Sequence, residues 1–364
     1  MTLRVSTLLV LLLLAALSGA ATAQESTLNI YNWADYIDPQ IIDDFERLYD
    51  IEVNYDIYDS SEIVDTKLMT GSSGYDLVLH SASFAARLSP IGVFAAVDRS
   101  KLTNWHHLDP YLIETVEENY KQPMIGVPYM WGTTGITYNV DMIRERMPNA
   151  PVDSMAMIFD PKVVSKFADC GVTFLDDPTT VIPFAMLYLG YPAGSVDTEH
   201  LKAVEALLKG VRPYIKYFSS TKMLLDMPSK EVCVSMSWSG DYAVASARAK
   251  EAGLDIDLAY SIPKEGSINW FDVFFMPSDA PHPKAAHLFL DYILRPEVIA
   301  SASNYVGYAN ANKSATPLVH ESITSDIGIY PDEETKKRLV PTIVLGPKLE
   351  RLRSRTWTKV KTGL

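Results

Sequence analysis

Ser235 to Val244 reads SMSWSGDYAV, and Asp241 follows Trp238 by three residues within it. A carboxylate beside a large π face suits an organic ammonium, drawn by the charge and by a ring quadrupole worth roughly 0.5 to 2 kcal/mol. The competing reading is a helix N-cap aspartate next to a core tryptophan. The combination recurs in Asn269-Trp270-Phe271-Asp272 and again in Asn32-Trp33-Ala34-Asp35-Tyr36. Trp270 to Met276 is otherwise apolar and predicts a buried strand, in which an unpaired Asp272 would be very costly. No lysine or arginine lies in that run to neutralise it. A bound cation would.

Such carboxylates need a strand, a tight turn and a helix start to hold them. Small and apolar residues lead through Trp238 into a Ser239-Gly240 turn, and Ala243, Ala245 and Ala247 then predict a helix. Leu28 to Trp33 alternates as a first strand, Asp38-Pro39 opens an amphipathic helix through Ile41, Ile42, Phe45 and Leu48, and Ile51 to Tyr55 is a second strand. Glu62 to Met69 predicts a helix stopped by Gly71-Ser72-Ser73-Gly74. Tyr75 to Leu79 then predicts a buried strand leading into Ser81-Ala82-Ser83-Phe84. Strand and helix alternate, which predicts an α/β fold with helices on the faces of a parallel or mixed sheet. Trp33, Ser81 and Ser83 fall at or just after strand ends, the ligand edge of such sheets.

Ile125 to Asn139 is apolar, glycine-punctuated and β-rich, as expected of a strand crossing between two lobes. Further on, Phe174 to Pro178 carries a strand into a helix start, with helices expected at 183–189 and 200–208 and a strand at 256–262. A helix over 287–294, a helix-to-loop region at 302–312 with Tyr305 and Tyr308, and a closing helix at 348–361 complete the chain. The acid and aromatic pairs are spread along it, so they meet only if the chain crosses between lobes more than once, with the ligand caught in the cleft. The expected lobes are 24–135 with 255–315, and 136–254 with 316–364.

The chain opens MTLR, runs through apolar Leu8 to Leu17 and reaches Ala21-Thr22-Ala23, the pattern of a secretory signal peptide over residues 1–23. The mature chain is expected outside the cytoplasmic membrane. Loss of Arg4 with that segment takes the formal net charge from −13 to −14. This acidity argues against nucleic acid or an anionic membrane surface as partner and is compatible with attracting cations. About 341 mature residues exceed one comfortable core. The exported context favours pairing Cys170 with Cys233, worth about 4 kcal/mol in the chain-entropy model. Two cysteines and scattered histidines build no metal site, and no cofactor is implied.

Six motifs carry a family resemblance: N-W-x-D-Y-I at Asn32 to Ile37, S-A-S-F at Ser81 to Phe84, W-G-T-T-G at Trp131 to Gly135, W-x-G-D at Trp238 to Asp241, F-D-V-F at Phe271 to Phe274, and Y-A-N-A at Tyr308 to Ala311. Over essentially its full mature length the chain resembles the periplasmic putrescine- and spermidine-binding proteins of bacterial ABC importers. The resemblance implies a type II periplasmic-binding-protein fold with two lobes, a hinge and an interlobe ligand cleft, and delivery of polyamine to a permease; a monomer is expected. It implies amine-binding roles for Asp241 and Asp272, assisted by Asp35 and Ser81. It further implies an aromatic box of Trp33, Tyr36, Trp238, Trp270 and Tyr308, with Ser83 and Phe84 alongside, and a Cys170–Cys233 bridge. Ala34, His80 and Thr180 depart from the family pattern. Putrescine binders carry a glutamate at the Thr180 position, for which Asp177 is the candidate substitute, and Trp270 is more like spermidine-preferring members.

An enzyme is the competing class, with Asp241 and Asp272 as a carboxylate pair for glycoside hydrolysis. A sugar-binding protein would also use acids and tryptophans. No nucleophile elbow, placed histidine or metal constellation supports an enzyme of another kind, and no catalytic residue is expected.

Overall fold

The computed structural model describes residues 25–58 and 61–363; the expected signal peptide lies outside the described residues. Among the described residues twelve strands form the framework. The N-terminal ones are β1 (Thr27–Trp33), β2 (Glu52–Tyr58), β3 (Leu77–Ser81) and the short β4 (Phe94–Ala95). The long β5 (Val127–Asn139) precedes β6 (Val172–Phe174), β7 (Ile215–Phe218), β8 (Val234–Trp238) and β9 (Leu258–Ser261). β10 (Ser267–Pro277), β11 (Ala309–Asn310) and β12 (Leu339–Pro341) follow. The main path runs β2-β1-β3-β10-β5-β8-β6-β7, with β1 parallel to β2 and β3, and β6 parallel to β7 and β8. Helices join the parallel neighbours, as crossovers require.

Two long strands tie the halves together. The first half of β5 pairs with β10 and β11, while its second half pairs with β8 and β9. The apolar core divides at the same places. One cluster takes residues from Leu28 to Trp131 and from Trp270 to Ile329; the other runs from Ile136 to Ile268 and adds Trp357 and Val360 from the C-terminal helix Pro347–Thr362. The chain therefore changes core inside β5 and inside β10. β9 pairs with the second half of β5, and Ile323 and Ile329 pack in the first core.

Local sequence sets the element ends. Asp38 caps helix Pro39–Tyr49 by accepting from the Gln40 N–H, and Ile41 and Phe45 on its inner face are buried. The helix expected from 183 begins at Pro178 instead, because Asp177 is its cap and Pro178 fits the first helical position. Pro183 sits inside it, giving up one backbone bond. The helix expected over 287–294 spans Pro283–Ile293, and the region before Tyr308 is the helix Pro296–Val306. Cys170 and Cys233 form a disulfide with Cα atoms 5.5 Å apart, tying the residues ahead of β6 and β8. No described helix is long and apolar enough to cross a membrane.

Candidate ligand-binding site

β8 ends at Trp238, and the extended backbone there turns directly into helix Ser239–Glu251, placing Asp241 at the third helical position. Asp241 Oδ2 accepts from the Trp238 N–H at 3.2 Å, so Trp238 and not Asp241 is the N-cap, and the aspartate closes the helix start from the third position. Its other oxygen, Oδ1, accepts from the Tyr308 hydroxyl at 2.7 Å. Asp272 lies on β10 directly across from Ser81 on β3. Asp241 and Asp272 are only 7% and 8% exposed, and among the described residues neither makes an ion pair.

Burial pushes both carboxyls up to about 7. The Tyr308 hydroxyl, the Trp238 N–H and the charge of Arg248 oppose this at Asp241; the Tyr36 hydroxyl opposes it at Asp272. Tyr36 is near enough to act on Asp272 yet its oxygen completes no hydrogen bond of good geometry. Tyr308 feels both acids: burial and the charges of Asp241 and Asp272 hold its hydroxyl well above the usual phenol range. Tyr308 thus bonds Asp241 and lies within electrostatic reach of Asp272.

Rings enclose this pair. Tyr308 meets Trp270 edge-on at 5.2 Å and Tyr36 at 5.5 Å, and Tyr36 meets Tyr129 at 5.7 Å. Trp33 at the end of β1 and Trp238 at the end of β8 face each other at 6.5 Å across the two cores. Behind Trp33 stand Tyr58 at 4.4 Å and His80 at 5.3 Å, and His80 stacks on Phe84 at 3.7 Å. Glycine makes the close approach of backbone to ring possible. A Cβ at Gly240 would overlap the Tyr308 ring, and one at Gly132 would meet Trp270 at 2.5 Å.

Contacts among Trp33, Tyr36, Phe84, Trp238, Asp241, Trp270 and Tyr308, with Asp272 across from Ser81, place these side chains near one another, and the Ser83 hydroxyl lies 2.9 Å from that of Ser81. Asp35 does not join them. Its backbone is left-handed (φ 56°), its side chain is 61% exposed, and it pairs with Arg248 of helix Ser239–Glu251 at 3.3 Å. Asp177 is also engaged elsewhere: it accepts from the Thr179 N–H and from the Thr179 and Thr180 hydroxyls at 2.9, 2.7 and 2.6 Å. Tyr58, Tyr129 and Arg248 were not singled out in the sequence. Only Arg248 left a signal, two helical turns beyond Asp241. An open groove of about 450 Å³ lined by Asp38, Glu297, Ser301, Tyr305 and His320 shares no residue with this cleft.

Two cores joined by crossing strands, with buried acids and rings where the lobes meet, define a two-lobed solute-binding protein. The model of the bacterial extracellular solute-binding proteins matches residues 40–330, and the chain belongs to that family. It is 45% identical over 354 residues to the putrescine-binding periplasmic protein PotF of Escherichia coli (strain K12), covering 96% of this chain and 95% of that one. It is 42% identical to the putrescine-binding periplasmic protein SpuD of Pseudomonas aeruginosa, covering 98% of each. Among solved structures, a putative spermidine/putrescine ABC transporter from Listeria monocytogenes superposes with a TM-score of 0.84 at 30% identity, covering 93% of this chain and 100% of that one. This is a periplasmic binding protein of solute transport and not an enzyme.

Proposed function

We propose that this protein captures a polyamine in the periplasm and presents it, lobes closed, to the permease of an ABC importer. One observation carries the reading: two buried carboxylates, neither in an ion pair among the described residues, stand among the rings, Asp241 bonded to Tyr308 and Asp272 beside Tyr36. A buried unpaired carboxylate invites a cation, and an ammonium satisfies charge and ring faces together. The rings desolvate the methylene chain, at roughly 0.8 kcal/mol per CH2. Asp241, Asp272, Trp33, Tyr36, Ser81, Phe84, Trp238, Trp270 and Tyr308 are the proposed contacts, and the names of the relatives support this ligand class. The lobes proposed to close are the two apolar cores, hinged where β5 and β10 change core.

Within the class we favour spermidine over putrescine. Trp270 offers a broad face for a longer chain, and Thr180 leaves no acid of its own for a short diamine. The relatives above are named for putrescine, so selectivity is where this chain is expected to part from them. A thermal-shift series with putrescine, cadaverine, spermidine, spermine and agmatine tests both levels, since a ligand of the native state raises stability by RT ln(1 + [L]/Kd). Stabilisation by micromolar polyamine and none by sugars is expected. Indifference to every amine would overturn the reading.

A further inference from the structure

β10 exchanges one neighbour for another where the chain changes core. Along the edge opposite β5, residues 267–269 pair with β12 and residues 272–275 pair with β3, so Trp270 and Phe271 lie at the junction between the two neighbours. Ile268, before the junction, packs in the second core, whereas Trp270 and Phe271 pack in the first. Asp272 is the first residue past it, paired with Ser81 at the end of β3.

Tyr120 reaches both sides of that junction. It ends helix Pro110–Tyr120, whose Leu112 and Val116 are buried in the first core. Gln122, just beyond, donates to the Ala86 carbonyl at 2.7 Å and so ties the helix end to helix Ala82–Leu88, which follows β3. The Tyr120 hydroxyl donates to the Thr342 carbonyl at 3.1 Å. Thr342 continues β12: its N–H bonds the Asn269 carbonyl at 3.1 Å, and Val340 beside it packs against the second core. Burial raises the Tyr120 hydroxyl above the usual phenol range, the Ser83 hydroxyl opposing and the Asp272 charge assisting, so it stays a donor. One side chain rooted in the first core, within reach of Ser83 and Asp272, thus holds a backbone group that belongs with the second.

We propose, building on the polyamine reading, that Tyr120 is a positioning residue of the cleft, whose hydroxyl braces the end of β12 against the first core and fixes the angle at which Asp272 and Asp241 grip one ligand. Asp272 lies past the junction on β10, whereas Asp241 starts the helix after β8, which pairs with the second half of β5. Rotation about the junction changes the spacing of the two carboxylates, and the Tyr120 bond resists that rotation. Tyr120 acts through this bond and not through the amine, so its loss is felt as shorter retention of every polyamine.

Stopped-flow association and release of spermidine and putrescine, with small-angle scattering of the ligand-free protein, test this on the mature wild type and on Tyr120→Phe. The phenyl ring keeps the packing and removes the donor. Loss of one neutral hydrogen bond corresponds to about threefold to tenfold, expected as faster release of both amines with association little changed. The ligand-free variant should also show a larger radius of gyration than the wild type, and saturating spermidine should restore the wild-type value. Release as slow as in the wild type, a loss carried by association alone, or equal ligand-free radii would overturn the inference and leave the polyamine reading standing. A wild type that binds no polyamine would overturn that reading instead, and the comparison of ligand-free radii would then decide the brace by itself.

Discussion

The Tyr308 hydroxyl donates to Asp241 at 2.7 Å across 67 residues of sequence, from the segment after one helix to the start of another. The Tyr308 ring occupies space that a side chain at Gly240 would fill. The tyrosine is therefore both the orienting partner of the carboxylate and the wall against which it is buried. This makes Asp241 the most sensitive position in the cleft. Asp241→Asn replaces a charge-assisted contact with a neutral one and should weaken polyamine binding by about tenfold or more. Tyr308→Phe, which keeps the wall and loses the donor, should cost less. Calorimetry that finds Asp241→Asn as tight as wild type removes Asp241 from the site.

The raised carboxyl values of Asp241 and Asp272 give a pH dependence with a definite sign. In the ligand-free protein burial raises both groups to about 7, whereas in the unfolded chain they titrate near the ordinary aspartate value of about 3.9. The folded state then binds more protons between those limits, so its stability falls as pH rises from about 4 to about 7 and levels off above. A bound ammonium favours the charged carboxylate and expels the protons. Affinity should accordingly rise with pH across the same window. At about pH 6, titrations in two buffers of different ionisation enthalpy should give different apparent enthalpies, reporting proton release. Identical enthalpies would mean that both acids are already ionised before the ligand arrives.

Asp35 pairs with Arg248 of helix Ser239–Glu251 at the rim of the cleft rather than inside it. An exposed pair of this kind is worth about 1 kcal/mol or less; on the proposed lobe division it spans the two lobes and so would favour closure. Asp35→Asn should weaken polyamine binding by roughly two- to fivefold, mainly by faster release, with the difference from wild type shrinking in high salt. Stopped-flow release rates at two ionic strengths measure it. A loss as large as that of Asp241→Asn would instead place Asp35 in direct contact with the amine.

These contrasts mark what the sequence could and could not reveal. Asp241 and Trp238, or Asp272 and Trp270, are close in sequence and lie at strand ends or within apolar strands, so their chemistry could be read from local pattern. The orientation of Asp35 could not, because a left-handed backbone at a non-glycine residue turns the side chain outward and no neighbouring residue announces it. Tyr129 and Tyr58 reach the site through pairing of distant strands, which leaves no trace in spacing. The alternation of strand and helix was legible, and so was the crossing role of β5. The helix at Pro178–Tyr188 was placed late because Pro183 resembles a helix start, whereas the Asp177 cap decides the matter.

Trp270 carries the selectivity prediction. Its indole is packed edge-on to Tyr308, which also bonds Asp241, and rests against the bare backbone of Gly132, so it is held in one position. Trp270→Phe shortens the aromatic face without disturbing the acids. Methylenes beyond the reach of a phenyl ring lose their apolar cover, at roughly 0.8 kcal/mol each. A longer ligand has more of them there. Spermidine affinity should therefore fall more than putrescine affinity, by about threefold or more in the ratio. Parallel titrations of the two ligands against wild type and Trp270→Phe decide it. Equal losses would mean that Trp270 serves only as a wall for Tyr308, and the preference for spermidine would have to be abandoned.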